Sequence, residues 1–254
     1  MFDDISLLML ALMMVVGIVA GFINTLAGGG SFLTLPVLMM LGMPADVANG
    51  TNRVGVLVQS LAGVKGFDRH GALDRGAVIQ IMIPTFFGSL AGALVASFLP
   101  PAVLKPVLLT TMVAMALLMV LRPTVVAPPA GTVPKRLADA PAGYLWLFVA
   151  GLYGGFIQAG VGFILIVALA GVLRYDLVQS NALKMACTAL FSVVALSVFV
   201  IRDQVQWVPG LVLALAQVIG VQLSVRFALR VSQAVLRWVL LALVLAVCVA
   251  AWFS

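Results

Sequence analysis

Ten apolar segments divide the chain. They run over roughly 5–26, 31–43, 46–67, 76–98 and 102–121, and then 144–158, 161–173, 176–200, 207–227 and 234–253. A polar, proline-rich stretch, "RPTVVAPPAGTVPKRLADAPAG" (122–143), separates the two sets of five. An apolar run of about 20 residues can cross a bilayer as a helix. Segments 31–43 and 161–173 cannot: a run of 13 residues makes only about 20 Å of helix, against a hydrocarbon core of about 30 Å. The pattern predicts an all-α polytopic membrane protein in which 31–43 and 161–173 are half-helices, each forming a re-entrant hairpin with the segment before it.

The two sets of five resemble each other, as an internal repeat requires. Adding 130 to a residue number carries the first half onto the second without a gap: "VAGF" (19–22) falls on "VAGL" (149–152), Gly30 on Gly160, Val37 on Val167 and Asp46 on Asp176. The glycine-rich "LAGGGSF" lies opposite "FIQAGVGF". The expected organisation is a first membrane repeat (1–121), a linker (122–143) and a second membrane repeat (144–254).

Charge orients the halves, because short loops rich in Lys and Arg stay cytoplasmic. The loop "KGFDRHGALDR" (65–75) and the linker each carry three bases, whereas the loop around 99–106 has only Lys105. Arg226, Arg230 and Arg237 flank an acid-free loop at 226–237, so that loop is cytoplasmic too. Yet at the 130 shift it corresponds to the external loop 99–106, and cytoplasmic 65–75 corresponds to 195–205. Two inverted-topology repeats follow, each a re-entrant broken-helix hairpin plus three full spans, about eight transmembrane helices in all. Both termini then lie outside, which suits Asp3 and Asp4 and the lack of a nearby base. The alternative, eight full spans with both termini inside, leaves the Arg226–Arg237 loop outside.

Composition agrees with a bilayer. Of 254 residues 64% are hydrophobic and 9% charged, where a soluble domain carries about 25% charged residues. The net charge of +6 is explained by basic cytoplasmic loops, and nucleic acid is not an expected partner. Cys187 and Cys248 fall in apolar runs and read as small buried hydrophobes. With one histidine and no CxxC, no metal site or cofactor is expected. "MFDDISLLML" lacks the basic start of a signal peptide, so the first apolar segment is read as retained. Trp146, Trp207, Trp238 and Trp252 lie near segment ends, as interfacial anchors do. Pro84 is expected to kink its helix, and His70 to lie in a solvated loop.

The candidate chemistry sits at the glycine breaks. A break followed by a short helix presents free N–H groups and the positive end of a helix dipole, which suits an anion. Gly28, Gly29, Gly30 and Ser31 head one half-helix, with Asn24 one turn earlier; Gln158, Gly160 and Gly162 head the other. Close helix packing is the competing use of such glycines. The next helices add polar stripes. Asn49, Asn52 and Arg53 share a face with Ser60; Asn181, Lys184, Thr188 and Ser192 form a similar stripe. Asp46 and Asp176 head these helices as expected N-caps. Arg53 and Lys184 lie about 10 and 12 Å along their helices. No acid stands within four residues of either base, so two unpaired intramembrane cations point to an anionic ligand. Snorkelling to the interface is their alternative role.

"GFINTLAGGGSFLTLPVLMMLGMPADVANGTNRV" and "GLYGGFIQAGVGFILIVALAGVLRYDLVQSNALKM" together resemble the sulfite exporter TauE/SafE family of membrane permeases, over nearly the whole chain. The resemblance implies movement of small sulfur-containing or carboxylate anions, such as sulfite, sulfonates or sulfoacetate-like compounds, across the bacterial cytoplasmic membrane. Export is the implied direction, with protons a candidate coupling ion. "QAGVG" departs from the glycine triplet, so the second break implies a differently shaped site. The leading function is thus a secondary anion transporter working by alternating access, its partners a small anion and the lipid bilayer. An anion channel is the first alternative. A membrane enzyme is disfavoured, because hydrolysis needs carboxylates, a metal or a nucleophile–base pair, and the chain has no glutamate and a single loop histidine.

Overall fold

The computed structural model describes residues 7–121, 128 and 131–227. The expected span 234–253, the loop bearing Arg230 and Arg237, and Asp3, Asp4, Cys248, Trp238 and Trp252 lie outside the described residues. Among those described there are nine helices and no strand: α1 (Leu7–Ala27), α2 (Ser31–Met40), α3 (Ala45–Arg69), α4 (Arg75–Phe98), α5 (Pro101–Leu121), α6 (Ala142–Phe156), α7 (Val161–Ile166), α8 (Leu177–Ile201) and α9 (Trp207–Phe227). The helix begun by α7 continues as a π-helical stretch, Val167–Val172, in which Leu173 N donates to Ala168 O five residues back at 3.0 Å.

Among the described residues four helices are long and apolar enough to cross a membrane: Arg75–Phe98, Pro101–Leu118, Leu177–Ile201 and Trp207–Ser224. The protein is therefore a multi-pass membrane protein. Four shorter apolar helices, Met9–Thr25, Ser31–Met40, Ala142–Phe156 and Val161–Val172, flank the two breaks. Large hydrophobic side chains point outward from several helices, among them Ile79, Phe87, Leu145 and Leu215, as contact with lipid tails requires. α3 is different. It has the length of a span, 25 residues, but buries Asn49, Thr51, Asn52, Arg53, Gln59 and Ser60, and it packs on both α8 and α9. Its polar face meets protein, the arrangement a bilayer allows for polar side chains.

Each broken helix finds its main neighbour across the linker. α1 packs along α9 and α6 packs along α4. Gly21 lies against the backbone of Gln217, and Gly151 against the backbone of Thr85. Glycine at both places lets the helices approach closely. Gly21 and Gly151 are 130 residues apart, so the two contacts are equivalent.

Asp176 caps α8 as expected, accepting from Gln179 N at 2.8 Å. Asp74 caps α4 in the same way. Asp46 does not cap α3: Pro44 holds the N-cap position, and the Asp46 carboxylate instead accepts from Gln204 Nε2 at 3.2 Å. With Pro44 as N-cap the helix starts at Ala45, two positions earlier than an Asp46 cap would place it. His70 is exposed at the end of α3, as expected of a solvated loop. Cys187 is free and buried. The described part of the linker is pinned to the membrane part: Lys135 N donates to Leu173 O at 2.8 Å, and Leu137 is buried beside Gly143.

Candidate functional site: the crossing of the two breaks

α1 ends at Ala27 and the chain turns at Gly28, whose φ is +75°. α6 ends at Phe156 and turns through Gln158 (φ 71°) and Gly160 (φ 79°). The two turns touch. A Cβ on Gly28 would stand 2.5 Å from the Cα of Gly162, and one on Gly162 would stand 2.6 Å from the Cα of Gly28. Neither position has room for a side chain. The Phe32 ring closes over Gly160.

α3 supplies the groups that finish α6. Arg53 Nη1 donates to Gly154 O and, at 2.7 Å, to Gln158 Oε1. Its Nη2 donates to Gly155 O at 2.9 Å and Asn49 Oδ1 at 3.3 Å. Asn49 Nδ2 donates to Phe156 O at 2.8 Å. The last carbonyls of a helix have no partner within it; here the guanidinium fork and one amide from the other half supply them. The Phe199 ring lies 5.6 Å from the guanidinium carbon.

α8 does the same for α1. Lys184 Nζ donates to Thr25 O at 3.1 Å and to Asn181 Oδ1 at 2.7 Å. Thr25 and Gly155 are 130 residues apart, so each base serves the equivalent carbonyl of the opposite half. Both bases are buried, Arg53 completely and Lys184 at 2% exposure, so neither snorkels. Nor are they unpaired: each is bonded to the negative end of a helix. No carboxylate is bonded to either base among the described residues. Arg53 Nε stays buried without a partner.

The half-helix α2 is held by α3. Asn52 Nδ2 donates to Ser31 Oγ at 3.0 Å, and its Oδ1 accepts from Thr34 Oγ1 at 2.6 Å. Asn24 Oδ1 accepts from Gly30 N at 3.4 Å, and Gly29 O accepts from Phe32 N at 3.0 Å. Neither α2 nor α7 has a side-chain cap at its start. The structure thus gathers Asn24, Gly28, Gly29, Gly30, Ser31, Asn49, Asn52, Arg53, Gln158, Gly160, Gly162, Asn181 and Lys184 around the crossing. Thr188 stands one turn past Lys184, and its hydroxyl donates to Lys184 O of its own helix at 2.8 Å. Thr25, Thr34, Gly154, Gly155 and Phe199 complete the site. The glycine pair Gly154–Gly155 just before the second break was the one sequence signal for them.

The family described as "Sulfite exporter TauE/SafE" matches residues 13–251. A "Probable membrane transporter protein" of Haemophilus influenzae is 28% identical over 236 residues, 92% of this chain and 91% of that protein. "Probable membrane transporter protein ORF9" of a Sinorhizobium species is 27% identical over 229 residues, 89% of this chain and 86% of that protein. "Probable membrane transporter protein YfcA" of Escherichia coli K12 is 26% identical over 233 residues, 92% of this chain and 86% of that protein.

Proposed function

The chain belongs to the sulfite exporter TauE/SafE family, and from that premise we propose that it is a secondary transporter of small anions, sulfite and organic sulfonates foremost, in the bacterial cytoplasmic membrane. The observation that carries the reading is the charge at the crossing. Two helix C-terminal ends and two helix N-terminal ends meet there. Their partial charges, about half a unit each, cancel in pairs. Arg53 and Lys184 then leave a surplus of roughly two positive charges in a buried site. Such a surplus is costly in a low-dielectric interior unless an anion joins it.

The equivalent contacts of α1 with α9 and of α6 with α4 support two inverted repeats, 1–121 and 144–254, joined by the 122–143 linker, with about eight transmembrane helices. In this reading the anion lies between the breaks, held by the bases, by Asn24, Ser31, Asn49, Asn52, Asn181 and Thr188, and by backbone N–H groups at Gly28, Gly29, Gly30, Gly160 and Gly162. It takes over the guanidinium and ammonium donors now given to the Gln158 and Asn181 amide oxygens. The Arg53–Gln158 tie between the halves loosens as a result, the Asn181 bond being internal to α8, and the halves rock between an outward- and an inward-open form.

The test is counterflow. Proteoliposomes preloaded with unlabelled sulfite should accumulate radiolabelled sulfite transiently above equilibrium, and ethanesulfonate should compete. A channel would equilibrate the label without overshoot. Sulfite flux equal to that of empty liposomes, with no thermal stabilisation by sulfite, sulfonates, thiosulfate or small carboxylates, would overturn the proposal.

A further inference from the structure

Beside the crossing, α3 and α9, which pack on each other, carry buried polar groups with nothing to bond. Gln217 is 1% exposed, and its amide lies against α3: a Cβ on Gly55 would be 2.9 Å from Gln217 Nε2. Its Oε1 has no hydrogen-bond partner. Gln59, one turn beyond Gly55 on the same face of α3, is also 1% exposed, and its Nε2 has no partner. Ser224, two turns beyond Gln217 on α9, is fully buried with an unpartnered hydroxyl. A buried polar group left unbonded costs about 1–3 kcal/mol, and native proteins keep few of them without water or ligand.

The fold does not require these groups. In the equivalent seam, between α4 and α8, Thr85 stands where Gln217 does, packed beneath Gly151 as Gln217 is beneath Gly21. Thr85 satisfies itself by donating to Ile81 O of its own helix at 2.9 Å. At the offset of 132 residues that carries Thr85 onto Gln217 and the start of α3 onto the start of α8, Gln59 falls on Phe191, which is fully buried, and Ser224 on Gly92. The second seam has a phenylalanine, a glycine and a self-bonded threonine where the first has two glutamines and a serine.

The polar seam also starts at the crossing. Asn52, which holds Ser31, is three residues before Gly55 on α3, so the Gln217 amide lies between Asn52 and Gln59. α3 and α9 run in the same direction, since Gln206 N bonds Thr51 Oγ1 and Gln217 meets Gly55 further along both. The unpartnered groups therefore lead from the crossing toward the C-terminal ends of both helices.

We propose that the α3–α9 seam is a hydrated lane through which small oxyanions and their water pass between the crossing and the C-terminal ends of α3 and α9, with Gln59, Gln217 and Ser224 as its hydrogen-bonding groups. The choice of anion rests on the function proposed above; the hydration does not. Neutral amides and hydroxyls suit transit, because they replace part of an anion's hydration without holding it as a base would.

Single-cysteine variants of the full chain, in a Cys187→Ala, Cys248→Ala background and in lipid nanodiscs, test the lane. The probe is 2-sulfonatoethyl methanethiosulfonate, a small membrane-impermeant sulfonate. Gln59→Cys, Gln217→Cys and Ser224→Cys should react about tenfold or more faster than Thr85→Cys and Phe191→Cys at the equivalent positions of α4 and α8, since thiol reactivity follows access to water. Equal rates in the two seams, whether all slow or all fast, overturn the lane; a misfolded variant set would show the latter. Excess ethanesulfonate should slow the seam positions. Fast labelling that ethanesulfonate leaves unchanged supports the lane and counts against the anion assigned to it.

Discussion

Arg53→Lys keeps the positive charge and removes the fork, and so separates capping from attraction. The two terminal guanidinium nitrogens serve different acceptors: Nη1 takes Gly154 O and Gln158 Oε1, Nη2 takes Gly155 O and Asn49 Oδ1. A lysine ammonium is a single point and cannot occupy both places. One buried carbonyl of α6 and one amide oxygen are left unbonded. At about 1–3 kcal/mol each the loss would be about 2–6 kcal/mol. The Asn49 bond is long at 3.3 Å, and Asn49 keeps its own hold on Phe156 O, so the lower part of that range, about 2–4 kcal/mol, is expected. For a domain of this size about 2–4 °C accompanies each kcal/mol, which places the melting point roughly 5–15 °C below wild type. Intrinsic tryptophan fluorescence of the purified protein during a thermal ramp reads this directly. If Arg53→Lys melts with the wild type while its affinity for sulfite falls, the arginine is only a ligand and the capping argument is wrong.

Two further outcomes follow from the same geometry. Gly162→Ala should sharply reduce the monodisperse fraction on size exclusion, because its Cβ would meet the Gly28 backbone at 2.6 Å; Gly66→Ala, with open space around it, should leave that fraction unchanged. The double variant Asp46→Asn, Asp176→Asn should retain pH-driven sulfite transport in liposomes, since Asn keeps the cap of α8 and sulfite, unlike a sulfonate, can itself carry the proton as bisulfite, a weak acid; downhill transport that no longer responds to a pH gradient would place the proton on these aspartates instead.

The nine apolar segments that fall within the described residues, the two breaks and the short helices after them were legible in the sequence, because apolar run length and glycine clustering are local properties. α3 was legible as a helix but not as the polar centre of the molecule: its buried asparagines, glutamine and serine need α8 and α9 around them, and spacing along one helix does not say what surrounds it. The pairing of the bases was misread for the same reason. Arg53 and Lys184 have no acid nearby in the chain, so they read as unpaired; their partners are main-chain carbonyls more than a hundred residues away, and a backbone carbonyl leaves no mark in a sequence. Asp46 illustrates a smaller limit. An aspartate heading a polar helix is a reasonable cap, but Pro44 already supplies the helix start, and the carboxylate was free to reach Gln204.

The pairing of bases with carbonyls also explains why a break and a base occur together in each half. A helix that stops inside a bilayer leaves its last carbonyls without water, which is costly. It can be finished only by a donor from a neighbouring element. In a chain where α1 lies along α9 and α6 along α4, the neighbour belongs to the other half, so each half is completed by a residue it does not contain. Arg53 ends α6 and Lys184 ends α1. A donor chosen to satisfy carbonyls is cationic only if charge is wanted as well, since Asn49 shows that a neutral amide does the capping at Phe156 O. The surplus charge of Arg53 and Lys184 is therefore not explained by helix ends alone; in the function proposed above, an anion between the breaks accounts for it.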